Sequence, residues 1–233
     1  MPLLFLFLSS FSTFSQGNDL ALGIYELNRG EFQAAIKQFQ PLVAKGYAPA
    51  QYQMATVYQH GYGVAKNSQK ALALFKLAAK QNYADAQFEL AIIYSEGKLT
   101  QKNLTKAYQL TRTLSNKGLA SAQYNLALMY ANGTGIKQDY VKAARLYQYA
   151  ANQNYALAQY NLALLYSEGK GVKKSIEMSL VWNIIAAWNG YHYAKQSRLI
   201  DERQLSTAQK DNAIDKANQV YKKIKNQENL KLN

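Results

Sequence analysis

The chain has 233 residues, 48% of them hydrophobic, with 27 Lys and Arg against 14 Asp and Glu and a formal charge of +13. That is enough apolar material to bury a substantial core, and with only three prolines and 13 glycines a disordered or fibrous chain is excluded. The absence of cysteine removes disulfides, thiolate metal sites and cysteine nucleophiles together.

In chain order, the first element is an apolar run from Met1 to Leu8, followed by small polar residues up to Gln16. The pattern predicts an export signal over residues 1–15, with Thr13 and Ser15 at the two small-residue positions before a cut at Gln16. No Lys or Arg precedes the run, so either the signal is atypical or the true start lies upstream of Met1. The run is too short to cross a bilayer as a helix. A periplasmic or secreted protein is expected; the competing reading is a buried N-terminal helix that caps the rest of the chain.

From Ala50 onward the sequence repeats. Tyr58, Tyr94, Tyr130 and Tyr166 recur every 36 residues, as do Asn67, Asn103, Asp139 and Ser175. One constant period means stacked copies of a single supersecondary unit. The expected units are about 19–49, 50–85, 86–121, 122–157 and 158–193, with capping helices over 194–227, in one solenoid spanning 16–227. The tail 228–233 is expected to fray. The copy at 19–49 has a shorter turn, with Tyr25, Gly30, Ala34, Ala35, Leu42 and Gly46 in place.

Each copy reads as two helices. The first opens at an Ala-Gln-aromatic triplet such as Ala122-Gln123-Tyr124, and residues such as Leu126, Ala127 and Tyr130 share one face of a 3.6-residue helix. A glycine turn comes next: Gly61 and Gly63, Gly133 and Gly135, Gly169 and Gly171. Leu99 takes the second glycine's place in the remaining copy, and that turn is expected to differ in backbone shape. Asn67, Asn103, Asp139 and Ser175 then cap the second helix, at about 0.5–2 kcal/mol each. That helix buries rows such as Ala71, Leu74 and Ala78 and turns Lys70, Lys76, Lys106 and Lys142 to solvent. The stretch 204–227 predicts one more helix, with Ser206 as its cap.

Chemistry-bearing sets are missing from the sequence. There is no Gly-x-Ser-x-Gly elbow and no His-Glu-x-x-His. His60 and His192 are the two histidines, and they do not combine with scattered carboxylates into a metal set. No enzyme activity, metal or cofactor is expected. The positive charge is diffuse and suits an acidic partner, but nucleic acid is not expected because no dense arginine stripe is present. A monomer is expected.

The string Ala-Gln-Tyr-Asn-Leu-Ala-Leu-x-Tyr, then Gly-x-Gly-Val/Ile, then a Lys-Ala-Ala helix, resembles the Sel-one-like repeat of the tetratricopeptide superfamily. The resemblance covers roughly Asp19–Gly190 and departs from the family pattern at Leu99, Thr111 and Ser179; the first copy, with Arg29-Gly30-Glu31-Phe32, is closer to a tetratricopeptide unit. It implies an all-α, right-handed solenoid of antiparallel helix pairs acting as an adaptor or scaffold. Exported bacterial members serve envelope assembly, signalling regulation or host contact. In such arrays the first helices line the concave surface, which implies a partner-binding face of Tyr52, Thr56, Phe88, Ile92, Tyr124, Leu128, Tyr160 and Leu164. His60, Glu96, Asn132 and Glu168 form its rim.

Two readings of that aromatic row stay open. Either it grips a protein or peptide segment through aromatic anchors, or it packs between adjacent repeats. A glycan or envelope polymer, held by positive charge and tyrosine stacking, is the alternative ligand.

Overall fold

The computed structural model describes residues 17–230; the expected export signal at 1–15 lies outside the described residues. Among the described residues every regular element is a helix. They run as α1 (residues 17–28), α2 (Phe32–Ala44), α3 (Ala48–His60), α4 (Ser68–Lys80), α5 (Ala84–Glu96) and α6 (Leu104–Asn116). Then come α7 (Ala120–Asn132), α8 (Tyr140–Ala151), α9 (Ala156–Glu168), α10 (Ile176–Trp188), α11 (His192–Glu202) and α12 (Thr207–Leu230). Consecutive helices pack on one another from α2 through α5 and again from α7 through α11, and the fold is an all-α solenoid. Contacts divide the chain into two compact units, one ending at Leu110 and the other starting at Thr111, inside α6.

The repeat closes by hydrogen bonds that its sequence positions explain. The side chains of Asn67, Asn103, Asp139 and Ser175 accept from the amides of Lys70, Lys106, Lys142 and Met178 at 2.9–3.1 Å. The backbone amides of the same four residues donate to the carbonyls of Tyr58, Tyr94, Tyr130 and Tyr166. Each recurring tyrosine thus anchors the start of the next helix. Lys70, Lys106 and Lys142, exposed as expected, lie 5.2 Å over the rings of Tyr58, Tyr94 and Tyr130. Ser206 and Gln209 form a reciprocal capping box at the start of α12. That helix runs on to Leu230, into the stretch expected to fray.

One turn corrects the sequence reading in part. Leu99 has φ +57°, the same left-handed backbone as Gly63 (+68°), Gly135 (+75°) and Gly171 (+70°). The left-handed step is kept because both flanking helix ends are fixed, with Gly97 closing α5 and Asn103 capping α6. The hydrogen bonding does differ as expected: the Thr100 amide donates to the Lys98 carbonyl at 2.7 Å, where the other turns have Tyr62, Thr134 and Lys170 donating to Val57, Met129 and Leu165. Leu99 bears the conformational cost of about 1–2 kcal/mol.

In the first unit, Ala35, Ile36, Phe39, Met54 and Val57 form a core sealed by Leu20, Ile24 and Leu27 of α1. In the second, Tyr147, Leu162, Leu180, Trp182, Ile184 and Ile185 are buried together with Ala213, Ala217 and Ile224 of α12. Fully buried alanines (Ala143, Ala150, Ala158 and Ala163) let neighbouring helices approach closely. The long last helix covers the side of α10 that another repeat would otherwise cover.

Candidate functional site

The eight residues expected to face a partner sit at equivalent positions on the first helices: Tyr52 and Thr56 on α3, Phe88 and Ile92 on α5, Tyr124 and Leu128 on α7, Tyr160 and Leu164 on α9. All eight are half-buried, and the rim residues His60, Glu96, Asn132 and Glu168 are exposed. The rings are engaged as well as displayed. Tyr52 packs 5.7 Å from Phe75 and 5.6 Å from Tyr83. Tyr124 packs 5.8 Å from Tyr147 and 5.1 Å from Tyr155, and Tyr160 lies 5.0 Å from Tyr191. The partner rings Tyr83, Tyr155 and Tyr191 immediately precede α5, α9 and α11, so each aromatic row ties one hairpin to the next. Burial, followed by a hydrogen bond to Asp85, pushes the Tyr83 hydroxyl up to about 12, so that ring is neutral at physiological pH.

At the rim, Glu96 pairs with Lys98 and Glu168 with Lys170, both at 2.7 Å and exposed, a geometry that contributes little stability. His60 stacks on Tyr62, which stacks on Phe32.

The glutamine of each Ala-Gln-aromatic triplet has a role the sequence does not announce. Gln51, Gln87, Gln123 and Gln159 are all buried. Gln51 accepts from Gln81, Gln123 from Gln153, and Gln159 from Asn189, at 2.8–2.9 Å and always from thirty residues downstream. Gln87 and Gln159 also donate to Ala79 and Ala151, carbonyls at the ends of the preceding second helices. These amides bracket consecutive hairpins inside the core. Their constant place in the period was the available signal.

Among the clefts that open beside the first helices, two are lined by residues of the expected row, one in each unit. In the first, Leu27, Asn28, Phe32, Gln53, Thr56 and Tyr62 line about 450 Å³. In the second, about 240 Å³ lies among α9, α10 and α11, with Leu164 and Ser167 on one wall, Ser197 and Ile200 on another, and Ser179, Asn183 and Asp201 also lining it. Asp201 is 4% exposed. Its Oδ2 accepts from Ser179 Oγ at 2.7 Å and from Asn183 Nδ2 at 2.8 Å.

Burial raises the Asp201 carboxyl above the usual range, the bonds from Ser179 and Asn183 pull it back, and the charge of Glu202 adds to the rise. The folded state therefore holds this proton more tightly than the unfolded chain. Its stabilising effect is complete below the unfolded value and is lost as pH rises through the folded one. Lys174 lines the same cleft, and Arg198 is paired with Glu202. Asp201→Asn keeps an acceptor for both donors and removes the buried charge. The variant should melt higher than wild type at pH 7, by roughly 2–4 °C for each kcal/mol relieved, and the difference should vanish near pH 3.5. Melting curves from pH 3.5 to 8 check this; a constant offset across that range would contradict it.

These features define a class of protein, the all-α helical-repeat solenoid. The chain belongs to the Sel1 repeat family, whose model matches residues 48–83, 84–119, 120–155 and 156–191. Members of the family are generally non-catalytic scaffolds.

Among solved structures the chain is similar to a protective antigen present in uropathogenic Escherichia coli strains that displays an SLR fold, with TM-score 0.78 and 29% identity. That match covers 90% of this chain but only 46% of the antigen, so the chain spans about half its length. A Sel1 repeat protein from Oxalobacter formigenes matches with TM-score 0.72 and 26% identity over 86% of this chain and 84% of that one. A sel1 repeat protein from Klebsiella pneumoniae shares the fold, with TM-score 0.50 and 18% identity over 80% and 93% of the two chains. No curated protein matches the chain.

Proposed function

We propose that this protein is a non-enzymatic scaffold of the cell envelope or extracellular space that holds a segment of a partner polypeptide against the first-helix faces of its hairpins. The observation that carries this reading is the register of half-buried aromatic and aliphatic side chains on successive first helices, with clefts lined by Thr56 and by Leu164 beside them. Such rows supply large, rigid anchors with little entropy left to lose. The tyrosines already spend ring contacts on one another, which takes up ring surface that a stacked sugar would need and favours a polypeptide. The apolar run at the N-terminus supports export, as does the likeness to a protective antigen. Among the described residues no helix is long and apolar enough to cross a membrane.

The test is the combined replacement of Tyr124, Leu128 and Tyr160 by serine. Capture of the partner polypeptide is expected to fall at least a hundredfold while helix content by circular dichroism is retained. Capture at the wild-type level by a folded variant would remove the first-helix face as the binding site.

A further inference from the structure

We propose that the cleft over Asp201 receives a single lysine side chain of the bound polypeptide, which rests on the reading above and adds the chemistry of one anchor. The repeat register singles this place out. Ser179 stands where the other copies carry Ala71, Ala107 and Ala143. Asn183 stands where two of them bury Phe75 and Tyr147, and Asp201 where three of them bury Val57, Ile93 and Leu165. Three core positions turn polar together, and all three line one cavity. A buried polar set of this kind costs stability relative to an apolar core, and departures from the local rule of a fold concentrate at functional places.

Within this buried set the donors are already spent and acceptors remain. Both internal donors, Ser179 Oγ and Asn183 Nδ2, converge on Asp201 Oδ2. The orientation of Asn183 is fixed by this, because a carboxylate oxygen takes the amide nitrogen and not the amide oxygen. Asn183 Oδ1 is left buried with no partner, and Asp201 Oδ1 receives no donor among the described residues. No Lys or Arg of the described residues pairs with Asp201: Arg198 is committed to Glu202 at 2.6 Å, and Lys174 sits in the wall without an ion pair to it.

What fits is a donor at the end of an apolar stem. Leu164, Ile176 and Ile200 supply walls for methylenes, and about 240 Å³ suits one side chain, not a drug-sized ligand. An ammonium needs only the one open carboxylate oxygen. A guanidinium fork seeks both, and Oδ2 is already doubly occupied. Leu164 belongs to the partner-facing row, so a basic side chain of a segment lying on α9 enters here. On a chain of +13 this lone carboxylate does not steer the encounter; it sets the register of a segment already docked.

The experiment uses the full chain and two probes, N-acetyl-lysine-N-methylamide and its uncharged counterpart N-acetyl-norleucine-N-methylamide. Nuclear magnetic resonance follows the Asn183 side-chain amide and the amides of Ser179 and Asp201. The lysine probe should give a saturable shift at all three, and the norleucine probe at none. Asp201→Asn, which keeps both internal bonds, should weaken the lysine probe at least tenfold. Ser197→Leu, which fills the cleft from the opposite wall, should do the same.

Equal response to both probes, no response to either, or undiminished binding by Asp201→Asn would overturn the proposal. Partner capture measured on the same proteins separates the two ideas. Capture that depends on Tyr124, Leu128 and Tyr160 without lysine preference sinks only the anchor. Lysine preference with capture indifferent to those three residues sinks the scaffold reading.

Discussion

Gly171→Ala is expected to destabilise the protein by about 3 kcal/mol, whereas Gly190→Ala should cost only about 1 kcal/mol. Both glycines have positive φ, +70° and +84°, so the backbone strain of an added Cβ is similar. Their surroundings decide the difference. A Cβ at Gly171 would fall on the carbonyl of Tyr140, the first residue of α8, and within 2.7 Å of the Val141 nitrogen, while nothing lies within 4 Å at Gly190. Backbone cannot swing aside as a side chain can, so the turn between α9 and α10 would have to lift off the preceding hairpin. Gly63 also faces the first residue of α2, but through side-chain atoms, with the Phe32 Cβ at 2.7 Å and Gln33 Nε2 at 3.3 Å. At Gly63 and Gly171 the second turn glycine is therefore where one hairpin seats on the one before it. Urea titration of both variants measures this, and equal losses would mean that the turn does not seat there.

Tyr147→Ala is the second large effect, at about 3–5 kcal/mol. Tyr147 is 2% exposed, lies at the centre of the second unit's core, and supports the ring of Tyr124 at 5.8 Å. Removing it opens a cavity and withdraws the support of Tyr124, one of the side chains proposed to face the partner, in one step. Tyr149→Ala on the same helix, 47% exposed, should stay within about 0.5 kcal/mol. Partner affinity should fall with Tyr147→Ala, measured at a temperature where the variant remains folded, and should be indifferent to Tyr149→Ala. Similar stability losses for the two tyrosines would contradict the assignment of core and surface on α8.

The helices, their caps and the glycine turns were legible in the sequence because each is a local event repeated at one period. Asn67, Asn103, Asp139 and Ser175 each need only an amide three residues on. Leu99 was half legible: the turn's hydrogen bonds differ as expected, but single-residue preference opposes a left-handed leucine, whereas the two fixed helix ends it joins favour that backbone. The buried glutamines were in plain view, but their partners lie thirty residues away in the chain, so only packing shows the pairing. Asp201 was harder still. Its copy lacks the Leu and Tyr stripe and reads as a degraded cap, and its meaning appears only when positions 57, 75 and 71 are overlaid on 201, 183 and 179. The row proposed to face a partner came from the likeness to a family, and the structure adds that three of its rings already join hairpins.

Whether the first-helix faces carry the partner is tested most directly by photo-crosslinking, with benzoylphenylalanine placed singly at Leu128, at Leu164 and at Val141, which is 67% exposed on α8. After irradiation with the partner polypeptide bound, adducts are expected from positions 128 and 164 and not from 141. Adducts from 141 with none from 128 or 164 would contradict the account.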